Sequence, residues 1–246
     1  MTQHILIQSI ICGFLTTYFL FANNKTEWNY DGNTSQDWAN LNPMYLGCEN
    51  GNQQSPINIV TKAVQQGAIE FNLKYMPAKG VNVRLEHSTF KVTYPQGSFL
   101  EMVGIRYHLK EIHFKTPAEN AINSLYAPIE VQFHHQHSKG NKIILSVFFM
   151  EGRSNPTLDL IVKNLPTQEN KSHFITNIDA NSFIPNSLDS YQFDGSLTTP
   201  PCTQGVRWIV IKQPMSATQD QADAMRNITK PNARGTQDVA NRLIAE

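Results

Sequence analysis

"RYHLKEIHFK" (residues 106–115) and "IEVQFHHQHS" (residues 129–138) decide how this chain folds, because each places ionisable side chains at alternate positions of a β-rich run. Successive side chains of a strand point to opposite faces. Glu111, His113 and Lys115 therefore share one face of the first run, and Glu130, Gln132 and His134 share one face of the second. Buried charges are costly unless they are paired or bound to a metal, so these faces either meet solvent or line a site. Similar runs recur with turn residues between them: "VNVRLEHSTFKVTYP" (81–95), "KIILSVFFMEG" (142–152) and "GVRWIVIKQP" (205–214). "KIILSVFF" is apolar without alternation, as expected of a strand covered on both faces. Helical pattern is confined to short pieces, mainly "SATQDQADAMRNI" (216–228), where Ser216 or Thr218 is placed to cap the first turn. The pattern is that of a sheet protein with few helices.

The 246 residues, 40% of them hydrophobic, suffice for one domain with a substantial core, and no repeat or linker divides them. Lys plus Arg and Asp plus Glu both number 20, a balance that gives no reason to expect a nucleic acid or an anionic membrane as partner. A small-molecule or protein ligand fits better. Residues 5–22, "ILIQSIICGFLTTYFLFA", are apolar and are followed at once by the polar "NNKTEWNYDG". Residues 1–22 therefore read as a signal peptide cleaved near Ala22, leaving 23–246 as one domain of a secreted or periplasmic protein. The run is also long enough to stay as a membrane anchor, and "MTQH" before it lacks Lys and Arg. Cys12 falls inside the run, so Cys48 and Cys202 remain as an even pair in a compartment that permits disulfides. In a eukaryotic host, Asn24, Asn33, Asn170 and Asn227 would head N-x-S/T sequons.

Five further stretches carry a family resemblance. "WNYDG" (28–32), Trp38, "CENGNQQSPINI" (48–59), "GSLTTPPCTQGVRWIV" (195–210) and "NARGTQDVANR" (232–242) occur in the order and wording of the α-class carbonic anhydrases, zinc enzymes that hydrate carbon dioxide. The chain resembles that family from Trp28 to Arg242, with Gly235 where the closing motif has proline. The resemblance implies a mainly β (α+β) fold: one large central, mostly antiparallel twisted sheet with short peripheral helices, and a bridge between Cys48 and Cys202.

Family chemistry needs three neutral imidazoles and an open fourth position, so that zinc lowers the pKa of a bound water to about 7. In the positions that match those ligands, this chain has His113, Lys115 and Gln132. Thr198 and Glu119 match the pair that orients zinc-bound hydroxide. Glu130, with Glu111, matches acids behind the ligands, and Ile144, Leu197, Val206 and Trp208 match the apolar wall that holds carbon dioxide. His134 stands where that wall has a small aliphatic residue, so it is expected to point into the cavity and narrow it. Ser88 aligns with the proton-shuttle histidine, and His87 lies one residue early, which would turn it to the opposite face unless the loop adjusts. One of His135 and His137 matches a histidine buried behind the site and the other sits in the turn "HSKGNK"; His108 and His173 have no assigned partner.

A protonated lysine has no lone pair to offer, and a carboxamide oxygen is a poor replacement for imidazole toward zinc. The expectation is therefore no tightly bound cofactor, with zinc as the family metal. Two placements of Lys115 stay open: an ammonium paired with Glu119, Glu130 or Glu111, or a side chain reaching up the cavity to water. Three functions follow. The first is a catalytically silent carbonic anhydrase homologue with a binding, storage or scaffolding role. The second is an active enzyme with a relocated metal on His113 and His134. The third uses Lys115 as an amine of depressed pKa, a base or nucleophile.

Overall fold

The structure is a computed structural model that describes residues 28–30 and 34–246. The segment read as a signal peptide (1–22) and the sequons at Asn24 and Asn33 lie outside these residues. No helix among the described residues is long and apolar enough to cross a membrane.

The chain forms strands β1 (Asn58–Ile59), β2 (Phe71–Lys74), β3 (Ala78–Glu86), β4 (Thr89–Thr93), β5 (Phe99–Met102), β6 (Ile105–Lys115), β7 (Ala121–Ile122), β8 (Ile129–Gln136) and β9 (Lys142–Glu151). They are followed by β10 (Ser172–Ile178), β11 (Ser190–Ser196), β12 (Gln204–Ile211) and β13 (Met215–Ala217). The helices are α1 (Thr34–Leu41), α2 (Gly47–Asn50), α3 (Pro156–Val162) and α4 (Gln219–Thr229). Eleven strands make one sheet in the order β10-β3-β4-β6-β8-β9-β12-β11, with β5 on β6, β2 on β5 and β13 on β9. Within it, β9 pairs in parallel with β12 and β13, and the other pairings are antiparallel. This is the mostly antiparallel sheet with short helices that the sequence led us to expect. At α4, Thr218 rather than Ser216 is the cap, and Gln221 completes a capping box with it.

Two apolar cores explain why β9 lacks alternation. Leu145, Val147 and Phe149 enter the larger core with Val83, Phe90, Ile112, Phe114, Val131 and Phe133. Ile144 and Phe148, pointing the other way, join Ile57, Ile59, Phe193, Val206 and Trp208. A third cluster, of Trp28, Trp38, Cys48 and Cys202, surrounds the expected disulfide, which is formed.

The register places the polar faces side by side. Lys91 on β4 pairs with His113, His113 with Gln132, and Gln132 with Ser146; Glu111 pairs with His134, and Lys115 with Glu130. Between Leu109 and Glu111 the pairing with β8 slips by one residue, a bulge at Lys110. Leu109 thus lies opposite His135, while Glu111 two residues on lies opposite His134.

Candidate functional site

Lys115 ends β6 and is 1% exposed, so it does not reach water. Its Nζ donates to Tyr30 Oη at 2.7 Å and to the Asn232 carbonyl at 3.2 Å. It also lies 3.2 Å from Glu119 Oε1 and 4.9 Å from the centre of the Tyr30 ring. Of the three carboxylates weighed as its partner, the one in contact is Glu119. Burial alone would lower the lysine pKa, but the Glu119 charge, followed by Tyr30, outweighs it and the pKa is raised. The group is an ammonium, and the reading of Lys115 as an amine of depressed pKa is overturned.

Glu119 is fully buried and accepts from several sides. The Arg234 backbone N–H reaches Oε1 at 3.1 Å, beside Lys115. Thr198 Oγ1 donates to Oε2 at 2.7 Å, and Gln132 Nε2 donates to the same oxygen at 2.9 Å. Thr198 and Glu119 are therefore in the contact anticipated for them. Gln132 is bound through its nitrogen, while its Oε1 is buried with no hydrogen-bond partner. Glu130, expected to orient position 132, has its oxygens engaged elsewhere. They accept from the Glu119 and Asn120 backbone N–H groups (2.6 and 3.0 Å), Asn120 Nδ2 (2.9 Å) and Ser146 Oγ (2.7 Å). Burial, with the Glu119 charge behind it, raises the Glu130 pKa.

Toward the surface the two histidines lie face against face, ring centres 3.8 Å apart and planes inclined by 31°. His113 Nε2 is 2.9 Å from Glu111 Oε2, and the other Glu111 oxygen takes Arg84 Nη2 at 2.5 Å. His134 Nε2 is buried without a partner. Burial is the first cause that holds both imidazoles well below the ordinary histidine pKa; Lys91 adds to it at His113, and His113 adds to it at His134. They are neutral at neutral pH. A cavity of about 220 Å³ remains beside them, lined by Glu111, His113, His134, Ile144, Leu197 and Thr199, with Lys110, Gln136 and Lys142 at its edge. Val206 and Trp208, expected in the wall, are buried with Ile144 in the smaller core, Trp208 paired beside it, and neither lines this cavity. Among the described residues no group of three His, Cys, Asp or Glu side chains is arranged to hold a metal ion.

His87 and Ser88 form the turn between β3 and β4, both with positive φ. The His87 ring stacks on Trp28 at 4.5 Å, and its backbone N–H meets Glu169, so it is not part of the cavity lining. The Ser88 carbonyl accepts from Asn232 Nδ2. His135 is the histidine buried behind the site, its Nε2 2.8 Å from Tyr75 Oη, and His137 is in the turn. His108 sits edge-on to Phe99, and His173 Nδ1 lies 3.0 Å from the Asn164 carbonyl.

Three residues of the site went unnoticed in the sequence: Tyr30, Asn232 and Arg234. Arg234 is 1% exposed and donates to Gln54 Oε1, the Ser55 carbonyl and the Cys48 carbonyl at 2.6–2.9 Å. Burial lowers its pKa to about 10. The signal was available, because all three stand inside "WNYDG" and "NARGTQDVANR", stretches read as family markers rather than as side chains needing partners.

The sequence profile of the eukaryotic-type carbonic anhydrases matches residues 33–245. The chain belongs to the α-carbonic anhydrase family. Carbonic anhydrase of Neisseria gonorrhoeae is 35% identical over 226 residues, covering 91% of this chain and 89% of that protein. That of Pectobacterium carotovorum is 30% identical over 226 residues, covering 91% and 92%. Among solved structures, the α-carbonic anhydrase of Thermovibrio ammonificans, in complex with the inhibitor sulfanilamide, superposes with a TM-score of 0.86 at 32% identity, covering 89% of this chain and 99% of that one.

Proposed function

We propose that this α-carbonic anhydrase homologue is silent or strongly impaired in carbon dioxide hydration and uses the fold as a binding protein. One observation carries the reading: where the resemblance aligns a zinc ligand stands the Lys115 ammonium, held by Glu119, Tyr30 and the Asn232 carbonyl. These residues do not fit zinc. A cation there would face an ammonium without a lone pair, and Gln132 has turned its amide nitrogen to Glu119. Glu119 also holds the hydroxyl proton of Thr198. The relocated site on His113 and His134 is the less favoured reading. His113 Nε2 is already engaged by Glu111, and among the described residues no group of three His, Cys, Asp or Glu side chains is arranged to hold an ion there.

Metal analysis and stopped-flow carbon dioxide hydration on the purified, disulfide-intact protein test this. The expected result is far less than one zinc per chain and no catalysis above buffer, even with zinc supplied. One zinc per chain with hydration at neutral pH overturns it. Lys115→His combined with Gln132→His is expected to bring back stoichiometric zinc, whereas Gln132→His alone leaves the ammonium in place and binds none.

A further inference from the structure

The cavity beside His134 is more than a remnant. Its volume of about 220 Å³ is small. A dry cavity of about 150 Å³ already admits benzene, and drug-sized ligands need about 300 Å³ or more. The space therefore suits one six-membered ring and little else. Its lining includes the apolar Ile144 and Leu197 and the neutral His113 and His134 rings, with Ile144 directly beside His134 across the β8–β9 pair.

Charge at the mouth is one-sided. Lys110 and Lys142 both border the cavity, and neither ammonium is paired with a carboxylate among the described residues. The carboxylate in the lining, Glu111, is already compensated by Arg84 and has its second oxygen at His113. Lys110 stands there because of the bulge, which inserts it between the pairs Leu109–His135 and Glu111–His134. An anion entering this mouth meets two cations that have no carboxylate partner among the described residues, and its ring meets an apolar wall.

The geometry points to a binding site for a single-ring organic carboxylate, its ring against His134, Ile144 and Leu197, its carboxylate at Lys110 and Lys142. This deepens the proposed binding function and rests on it, since a zinc-bound hydroxide would compete for the same cavity.

Titration calorimetry with benzoate, and with benzamide as its neutral isostere, tests the assignment on the full disulfide-intact protein. Benzoate is expected to bind with a dissociation constant that rises with salt, and benzamide to bind at least tenfold more weakly. Lys110→Gln and Lys142→Gln should each weaken benzoate about two- to fivefold and leave benzamide unchanged. Leu197→Phe, which fills the ring space, should abolish both. Equal binding of the two probes, no binding of benzoate, or benzoate binding indifferent to both lysines overturns the assignment. Zinc measured on the same sample separates the two ideas. A zinc-free protein that ignores benzoate refutes the carboxylate site alone, whereas a stoichiometric, active zinc refutes the silent reading on which it rests.

Discussion

Replacing Lys115 with methionine keeps most of the side-chain volume and removes the charge. At 3.2 Å the attraction between Nζ and Glu119 Oε1 is about 5 kcal/mol at an effective dielectric of 20. Removal also deprives Tyr30 Oη and the Asn232 carbonyl of a partner. Against this, the cost of desolvating the ammonium disappears, and breaking one side of a buried pair nets about 3–5 kcal/mol. Glu119 keeps Thr198, Gln132 and the Arg234 N–H as donors, which places the expected loss near the lower end, about 3 kcal/mol. Urea unfolding with the disulfide intact reads it as a midpoint lowered by roughly 1 M, for a slope of about 3 kcal/mol/M. Adding Glu119→Gln removes the stranded carboxylate, and the double variant should recover at least about 1 kcal/mol relative to the sum of the two single losses. The raised lysine pKa sets the pH window. The folded value lies above the unfolded one, so the contribution is complete below the ordinary lysine pKa and is lost only as alkaline pH passes the folded value. A midpoint unmoved at pH 7, or additive losses in the cycle, would refute the ion pair as the element that closes this site.

Three further outcomes are expected. His135 is buried and its pKa pushed down to about 3, so the unfolded chain takes a proton near pH 6.5 that the folded chain refuses. Its contribution is therefore complete above pH 6.5 and declines by about 1.4 kcal/mol per pH unit toward pH 3; urea midpoints that do not fall between pH 7.5 and 5 would contradict a buried neutral imidazole. Reduction of the Cys48–Cys202 bridge, which closes a span of 154 residues, should cost about 5 kcal/mol on the chain-entropy account, measured as the difference in unfolding free energy with and without reductant. Arg234→Lys should lose about 2–3 kcal/mol in the same assay, because an ammonium cannot copy the fork that reaches Gln54, Ser55 and Cys48 together; a neutral result would show that charge alone suffices there.

The strands were legible because their faces are. Period-two patterning in "EIHFK" and "IEVQFHH" placed Glu111, His113, Lys115, Glu130, Gln132 and His134 on shared faces, and the register pairs them across β6 and β8. The apolar run of β9 announced two covered faces. What stayed hidden has no local signature. Which carboxylate meets Lys115 depends on the loop from Thr116 to Asn120 bringing Glu119 back to it, a three-dimensional outcome that spacing leaves open among three candidates. The bulge at Lys110 is one residue of slippage without glycine or proline to mark it. The stacking of His113 on His134 likewise joins two strands, and neither strand alone predicts its angle.

Arg234 and Tyr30 give the centre of this protein an unusual dependence on the order of synthesis. The contacts of Glu119 and Lys115 draw on residue 30 near the start of the chain, on 198, and on 232 and 234 close to its end. A ribosome delivers these pieces far apart in time, so a partly made chain holds a lysine and a glutamate in the sheet region without the groups that later surround them. Closure of the site waits for the segment that carries Asn232 and Arg234, and a chain that stops short of it leaves Lys115 and Glu119 without those two partners.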